Sequence, residues 1–443
     1  MALETIPQAA QAAPSLPEVH SSVRLSRSPQ FWRRLAGFLG PGFLISVGYM
    51  DPGNWATDIA GGSRFGYTLL FVIMASNLMA ILLQSLSLKL GVATERDLAQ
   101  LCHENFGPKV SFVYWFWAEV GIAACDLAEV IGSAIALQLL FHIPLLYGVL
   151  ITGLDVLLIL LLQRWGFRKL EALVIALIGT IIAMFGVQMF LSRPEYGQVL
   201  SNLFIPSPSI IANPAMLYIA VGILGATVMP HNLYLHSSIV QSRRYERTPK
   251  GKREAIFMAN IDSVLALTVA LFVNAAILIV AAAVFYRSGH FEVEAIEDAY
   301  KLLSPLVGAG FASTLFAVAL LASGQNSSIT GTLAGQVVME GFIHFKLAPW
   351  LRRLVTRSLA IIPTILVVIF AGEKGTEKLL IFSQVILSLQ LTFAVVPLVY
   401  FTGSRKRMGE FVNSRWLQGV SWAVAVLIAG LNGWLLLQMV LGR

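Results

Sequence analysis

Two long apolar stretches of this chain are each interrupted in the middle by a short segment that contains proline. The first, residues 38–60, is broken at Asp51–Asn54 (Asp-Pro-Gly-Asn), and the second is broken at Met229–Asn232 (Met-Pro-His-Asn). A charged group at membrane depth costs about 2.5–3.5 kcal/mol on insertion scales, so Asp51 marks a functional position. Non-helical backbone at that depth is tolerated only where it lines a cavity or lies inside protein. Two such breaks in corresponding places indicate a transport site.

The composition favours a protein that crosses the membrane many times. Of the 443 residues, 57% are hydrophobic and 12% are charged, whereas a soluble domain has about 25% charged residues. Apolar windows of roughly 20 residues give about eleven spans. The predicted spans are 38–61, 66–90, 110–140, 145–163, 169–191, 214–240, 255–286, 305–343, 351–371, 377–402 and 417–440. We expect one transmembrane domain, residues 36–443, preceded by a disordered cytoplasmic tail, residues 1–35, without a cleavable signal peptide.

The charged residues outside the spans predict the orientation. Basic residues concentrate after spans four, six, eight and ten, whereas the segment after span seven is acidic. By the positive-inside rule, the N-terminus is then cytoplasmic. The net charge of +7 therefore reflects topology and gives no reason to expect nucleic-acid binding. Two cysteines, Cys102 and Cys125, imply no disulfide framework.

The two breaks fall at equivalent places in the two halves of the chain. Five spans precede the span that holds the second break, so the second half is inverted relative to the first. We expect inverted repeats over residues 38–191 and 214–402, with residues 417–440 added as an eleventh span. The predicted fold class is all-α, with helices 1 and 6 broken and alternating access around a site at the midplane.

The donor atoms at the two breaks are oxygens together with one soft sulfur. Asp51 offers a carboxylate and Asn54 an amide oxygen, while the Pro-Gly pair between them frees backbone carbonyls. Met229 offers a thioether, and the turn that begins at Ala226 can supply another carbonyl. A thioether is a poor ligand for magnesium or calcium and an acceptable one for softer divalent ions. This set favours manganese, ferrous iron, cobalt or cadmium; the alternative is that Met229 packs and both breaks are kinks.

Ionisable residues in and near the third span indicate a route for protons. Three carboxylates lie within this span: Glu119, Asp126 and Glu129. The last two are three residues apart and share a helix face, so they need water, a cation or protonation to be tolerated. The expected countercharges lie near span nine: Arg352, Arg353 and Arg357. His231 could exchange protons between the metal site and the acidic pair; the alternative is a structural salt-bridge network at the inner gate.

These segments also resemble a known family. The chain resembles the Nramp divalent metal transporters of bacterial length, which carry Asp-Pro-Gly-Asn in the first span and Met-Pro-His-Asn in the sixth. A third stretch, Gly324–Thr332 continuing to Gly341, is similar to the family pattern in span eight. The resemblance covers residues 36–440, and its three motifs occur in order, each within a span.

The resemblance implies a LeuT-like fold and proton-coupled import of manganese or iron. It also implies metal ligation by Asp51, Asn54, Met229 and the carbonyl of Ala226, and a proton route through His231 and the acids of span three. In the family, a glutamine of span ten approaches the metal; Gln384 is favoured over Gln390 by its Ser-Gln-Val-Ile-Leu-Ser context. Other polar residues near the implied site, equally compatible with interhelical hydrogen bonds, are Asn77, Gln84, Thr227 and Asn274.

Other classes of protein fit the residues less well. An amino-acid or sodium-coupled symporter of the same fold remains the alternative, although it would not need an aspartate beside a methionine. A channel would need a repeated filter, an ATP-driven pump a P-loop, and an intramembrane hydrolase a motif such as H-E-x-x-H; the sequence has none of these. We therefore expect a secondary transporter rather than an enzyme, monomeric, in the bacterial inner membrane. Its expected partners are divalent metal ions, protons and the bilayer, with no cofactor beyond the transported ions.

Overall fold

The computed structural model describes residues 14–25, 28–154, 166–293, 296–343 and 349–441. Almost all regular structure in these ranges is helical. The first half contains the helices Phe31–Phe38, Pro41–Ser46, Gly48–Met50, Pro52–Phe65, Leu70–Thr94, Leu98–Asn105, Pro108–Phe141, Leu145–Thr152, Phe167–Ser192, Tyr196–Phe204 and Ser209–Ala212. The second half contains Pro214–Val228, Pro230–Ile239, Val240–Ser242, Pro249–Ala281, Ala282–Tyr286, Ile296–Val307, Ala312–Ile343, Pro349–Thr402, Arg405–Met408, Gly409–Phe411 and Arg415–Val440. The range Pro349–Thr402 consists of two helices that meet at a kink at Gly372, where φ is 64°.

Within the described residues, seven helices are long and apolar enough to cross a membrane: Leu70–Thr94, Pro108–Phe141, Phe167–Ser192, Pro214–Ser242, Pro249–Tyr286, Gly375–Thr402 and Arg415–Val440. Two shorter apolar helices, Pro41–Met50 and Arg357–Phe370, belong to predicted spans one and nine. Ala312–Ile343 is span eight, and its polar residues, such as Asn326 and Thr330, are buried inside the protein. Within the described residues, each predicted span thus falls mainly on helix; residues 155–163 of span four lie outside them.

Both predicted breaks are present, and each has a local cause. The first broken helix ends at Met50, and Asp51 then caps the helix Pro52–Phe65 with proline in its first turn. Proline is favoured there because its missing N–H group would have no helical partner. In the second broken helix, the first part ends at Val228, Met229 has a non-helical φ of 25°, and Pro230 begins the next helix. The backbone is therefore interrupted where the carboxylate and the thioether lie.

One predicted boundary is wrong. The eighth span was expected to begin at residue 305, but residues Ile296–Val307 form a separate helix and the span begins at Ala312. The chain turns at Gly308, where φ is 74°. A residue without Cβ adopts this conformation at little cost, so the apolar stretch is divided although its hydropathy is continuous.

The expectation of a disordered tail does not hold for residues 14–25. Val23–Arg24 pairs in parallel with Arg243–Arg244, forming a two-residue ladder. Leu16 and Val19 are buried, and the amide of Leu16 donates to Glu340 at the end of span eight. These two side chains bury apolar surface against distant segments, which offsets the entropy of ordering a short tail.

Candidate metal site

The first break holds a carboxylate that is only partly satisfied. Asp51 has no exposed surface, and its Oδ1 atom accepts hydrogen bonds from the backbone N–H of Asn54 (2.8 Å) and from its side-chain amide (2.7 Å). The other carboxylate oxygen, Oδ2, is buried without a hydrogen-bond partner. An unpaired buried oxygen of this kind is costly, and a cation would satisfy it.

The two breaks meet at the side chain of Asn54. Its Nδ2 group, besides the bond to Asp51, lies 3.1 Å from the carbonyl oxygen of Ala226 in the second broken helix. Its Oδ1 atom accepts from Asn274 of span seven at 3.2 Å. The amide NH₂ group of Asn54 therefore lies between two oxygen acceptors. A cation at the position of this NH₂ group could contact the same two oxygens. Rotating the amide by half a turn would exchange this donor for an oxygen ligand.

Met229 faces the same place from the second helix. It is fully buried, and its sulfur lies 3.7 Å from Nδ2 of Asn232. The sulfur also lies beside Gly48 of the first broken helix, where a Cβ would stand 2.9 Å from it. The thioether and the carboxylate are thus on facing sides of one buried region.

Span ten contacts both broken helices through Gln384. A Cβ built on Gly53 would overlap the Gln384 side-chain amide, and a Cβ on Gly225 would overlap its backbone oxygen. The Oε1 atom of Gln384 is buried without a hydrogen-bond partner. Gln390, in contrast, lies near Gly121 of span three, where a Cβ would stand 3.1 Å from its Oε1. Of the two glutamines, Gln384 is therefore the one beside the breaks.

The other polar residues take different positions. Asn274 contacts the site directly, because its amide also donates to the Tyr49 carbonyl at 2.7 Å. Gln84 links the hydroxyl of Tyr49 (2.8 Å) to the Nδ1 atom of His236 (2.9 Å), which agrees with a structural role for this histidine. Asn77 and Thr227, the other two polar residues expected near the site, are buried and have side-chain atoms without a hydrogen-bond partner.

The acidic pair of span three is held by one arginine of span nine. The Arg357 guanidinium lies 3.1 Å from Glu129, 3.5 Å from Asp126 and 2.8 Å from the Ser328 hydroxyl, and all three charged groups are buried. The side chains of Arg352 and Arg353, the other expected countercharges, lie outside the described residues. Glu119 lies two turns earlier on the same helix and accepts from the indole of Trp115 at 3.1 Å.

Cys125 lies between the metal site and the acidic pair, a position that the sequence analysis missed. Its sulfur is 3.5 Å from Oε1 of Glu129 and 3.8 Å from Nε2 of His231. The i, i+4 spacing of Cys125 and Glu129 could have indicated this contact. The imidazole of His231 therefore reaches the acidic pair through a thiol.

Further buried ionisable groups were also missed. Asp58, about two turns after Asp51 in the helix Pro52–Phe65, is buried with an Oδ2 atom that has no hydrogen-bond partner. Near the tail, Arg243 pairs with Glu171 at 2.6 Å, and Asp262 accepts from the amides of Gly40 (3.1 Å) and Gly42 (2.6 Å). The signal for Asp58 and Asp262 was a lone charge within a predicted span. Arg243, in contrast, lies in the basic loop after span six, and Glu171 follows two basic residues at the start of span five.

Comparison with known proteins gives a consistent result. A family model described as "Natural resistance-associated macrophage protein-like" (Nramp) matches residues 42–438. A Nostoc sp. protein named "Divalent metal cation transporter MntH" is 62% identical over 429 residues, covering 97% of each chain. A solved manganese transporter of Eremococcus coleocola is 44% identical with a TM-score of 0.88, covering 95% of this chain and 90% of that one.

A more distant solved structure shares the architecture alone. Mhp1, a nucleobase-cation-symport-1 family transporter, is 15% identical with a TM-score of 0.63, covering 97% of this chain and 94% of that one. This likeness, together with the two broken helices, shows that the fold is LeuT-like.

Proposed function

Because this chain belongs to the Nramp family, we propose that it imports Mn²⁺ and Fe²⁺, and also carries Cd²⁺ and Co²⁺, together with protons. The chain is a multi-pass membrane transporter of divalent metal ions and is not an enzyme. Manganese is supported by the solved relative from E. coleocola, which is described as a manganese transporter. The observation that carries the proposal is the unpaired Oδ2 atom of Asp51, buried where the two broken helices meet.

The metal is proposed to bind as cargo between the breaks. Asp51 supplies the negative charge, and Asn54 supplies an amide oxygen once its side chain has rotated. The carbonyl of Ala226 and the sulfur of Met229 complete the second side, and the free Oε1 atom of Gln384 approaches from span ten. All of these ligands are proposed to bind the transported ion, and the proposal includes no resident cofactor.

The sulfur of Met229 is proposed to set the preference among ions. Magnesium and calcium take oxygen ligands, and a thioether gives them little. Softer divalent ions accept it, so the site discriminates by replacing one oxygen with sulfur. Polar residues around the ligands, Asn77, Thr227 and Asn274 among them, are proposed to supply hydrogen bonds while the ion loses its water.

Protons are proposed to leave the site through span three. Asp51 and His231 begin this route, which continues through the Glu129–Asp126 pair beside Arg357. The contact of Cys125 with both His231 and Glu129 supports a continuous polar path. Glu119 and the span-nine arginines 352 and 353 are proposed to lie at its inner end.

The protein is proposed to work as a monomer in the bacterial inner membrane, with its N-terminus in the cytoplasm. The basic loops after spans four, six, eight and ten support this orientation. Residues 38–191 and 214–402 are proposed to be the inverted repeats that rock around the site, and the eleventh helix lies beside them.

Uptake into proteoliposomes tests the proposal. We expect Mn²⁺ uptake to be faster at acidic external pH. Cd²⁺ should compete with Mn²⁺ for uptake, whereas Mg²⁺ and Ca²⁺ should compete poorly. Internal acidification that follows Mn²⁺ addition would support coupling to protons. Uptake of an amino acid driven by sodium, without effect of Mn²⁺, would instead support the symporter alternative. The position of Asp51 argues against that alternative, because its charge would repel a substrate carboxylate.

A further inference from the structure

A basic pocket opens on the surface that carries the N-terminal tail. Its volume is about 890 Å³, and four cationic side chains line it: Arg24, Arg34, Arg244 and Lys250. Two carboxylates, Glu246 and Glu254, share the pocket, so the lining carries a net positive charge. Leu25, Pro29 and Phe38 add an apolar wall. A cavity with this lining suits an anion that has an apolar portion.

Two of the arginines are held side by side by the backbone. In the parallel ladder between the tail and the loop after span six, Arg24 is the register partner of Arg244. Like charges directly opposite one another on paired strands are destabilising. Both side chains are exposed, and neither they nor Lys250 forms an ion pair within the described residues. The pair therefore lacks the counter-charge that Arg34 has in Glu254, at 2.7 Å.

The beginning of a long helix adds to the attraction for an anion. Lys250 and Gly251 lie in the first turn of the helix Pro249–Ala281, and both line the pocket. The Thr248 hydroxyl already accepts from the Gly251 N–H at 3.2 Å, but the N-terminus of a helix still carries a partial positive charge. Phosphate groups bind at such positions when cationic side chains lie nearby.

The surroundings place the pocket at the membrane surface. The helix Phe31–Phe38 buries Leu35 and Phe38 on one side, while Trp32 is 76% exposed on the other. Phe257, on the neighbouring helix of span seven, is also exposed. Tryptophan favours the level of lipid headgroups, which supports placing this short helix near phospholipid phosphates. Basic pockets at the cytoplasmic ends of spans are known to hold anionic headgroups.

We propose that the basic pocket binds the phosphate of an anionic phospholipid, between Arg24, Arg244 and Lys250. The assignment to the cytoplasmic leaflet rests on the orientation proposed above, whereas the phosphate chemistry does not. The bound headgroup neutralises the paired arginines and so holds the tail strand against the loop after span six. Its acyl chains extend past Trp32 into the bilayer.

The test compares a double variant, Arg24→Gln with Arg244→Gln, with a matched control. The control, Arg405→Gln with Lys406→Gln, removes two exposed basic residues after span ten, outside the pocket. Delipidated protein is titrated with phosphatidylglycerol or phosphatidylcholine, and bound lipid is counted by native mass spectrometry. We expect the parent and the control to retain phosphatidylglycerol in preference to phosphatidylcholine. The pocket variant should bind phosphatidylglycerol about tenfold more weakly or worse.

Thermal unfolding without lipid checks that both variants are folded. Because all four substituted residues are exposed, both variants should unfold at nearly the same temperature as the parent. Equal phosphatidylglycerol binding by the parent and the pocket variant would overturn the site, and so would an equal loss in the control. A further arm replaces lipid with inorganic phosphate. If phosphate alone stabilises the protein as much as phosphatidylglycerol does, the assignment to a lipid is wrong. Metal uptake is measured separately, so failure of the transport proposal would not be confused with failure of this one.

Discussion

The side-chain amide of Gln384 packs directly against the backbone of Gly53, with no room for a Cβ between them. Span ten thereby reaches the first break at the residue between Pro52 and Asn54. The same residue of span ten also lies against Gly225 in the second broken helix. Two glycines therefore allow one glutamine to approach both halves of the site.

Replacing Gly53 with alanine should displace Gln384. Alanine favours a helix by about 0.5–1 kcal/mol over glycine, but the added methyl overlaps the amide, and overpacking costs about 1–3 kcal/mol. We expect Cd²⁺ affinity, measured by calorimetry, to fall about tenfold, in line with that cost. Gly186→Ala, in span five with open space at its Cβ position, is the control and should bind normally. Unaltered affinity in Gly53→Ala would mean that Gln384 is no ligand.

Asp51→Ala should abolish metal binding and uptake. No neighbouring group at the breaks supplies the missing negative charge. The substitution also removes the helix cap that Asp51 provides through Asn54, but loss of such a cap costs only about 0.5–2 kcal/mol, so the protein should still fold. Asp58→Asn is the matched control, since it alters a second buried carboxylate about 10 Å further along the same helix. The assigned site would be refuted by near-normal Mn²⁺ uptake in folded Asp51→Ala.

Met229→Ala should change the ranking of ions more than the uptake of manganese. Cadmium should lose the most affinity, and manganese less, because the remaining ligands are oxygens that water can complete. Calcium or magnesium should begin to compete. Met216→Ala, near the N-terminal end of the same helix and away from the breaks, is the control. Competition assays decide this, and an unchanged cadmium-to-calcium ranking would leave Met229 with a packing role only.

Asp126→Asn should weaken proton movement more than metal binding. The residue contacts Arg357 and follows Cys125, which His231 contacts, and it is not one of the proposed metal ligands. Internal pH and Cd²⁺ affinity are measured on the same preparation. If metal-driven acidification and its pH dependence match the parent, the protons take another path.

Arg357→Gln should destabilise the protein. Removing one partner of a buried charge network leaves Glu129 and Asp126 without a countercharge, which costs about 3–5 kcal/mol. The loss of folding stability should be smaller at low pH, where protonation of the two carboxyl groups removes the uncompensated charge. Thermal unfolding at several pH values checks this, with Arg357→Lys as the variant that keeps the charge. Equal stability of the parent and Arg357→Gln would show that the pair is already neutral.

The sequence predicted the spans and both breaks because hydropathy and the chemistry of proline are local properties. The choice of Gln384 over Gln390 depended on family resemblance, and the close contact with Gly53 now supports it. The position of Cys125 between His231 and Glu129 depends on how two helices are rotated against each other, which no local pattern specifies. The tail was mispredicted for a similar reason: Leu16 is buried by segments more than 200 residues away.

The ordered tail has a consequence for the alternating access proposed above. Residues 14–24 are attached simultaneously to the C-terminal ends of spans six and eight, through Ser21 to Gln241 and through Leu16 to Glu340. A movement that separates these ends must break one attachment and return Leu16 to water. Burial of a leucine side chain accounts for about 1.5–3 kcal/mol, which changes a ratio of populations by roughly ten- to a hundredfold. We therefore expect the proposed alternating access to be opposed at this end of the protein by a segment that contains none of the proposed metal ligands.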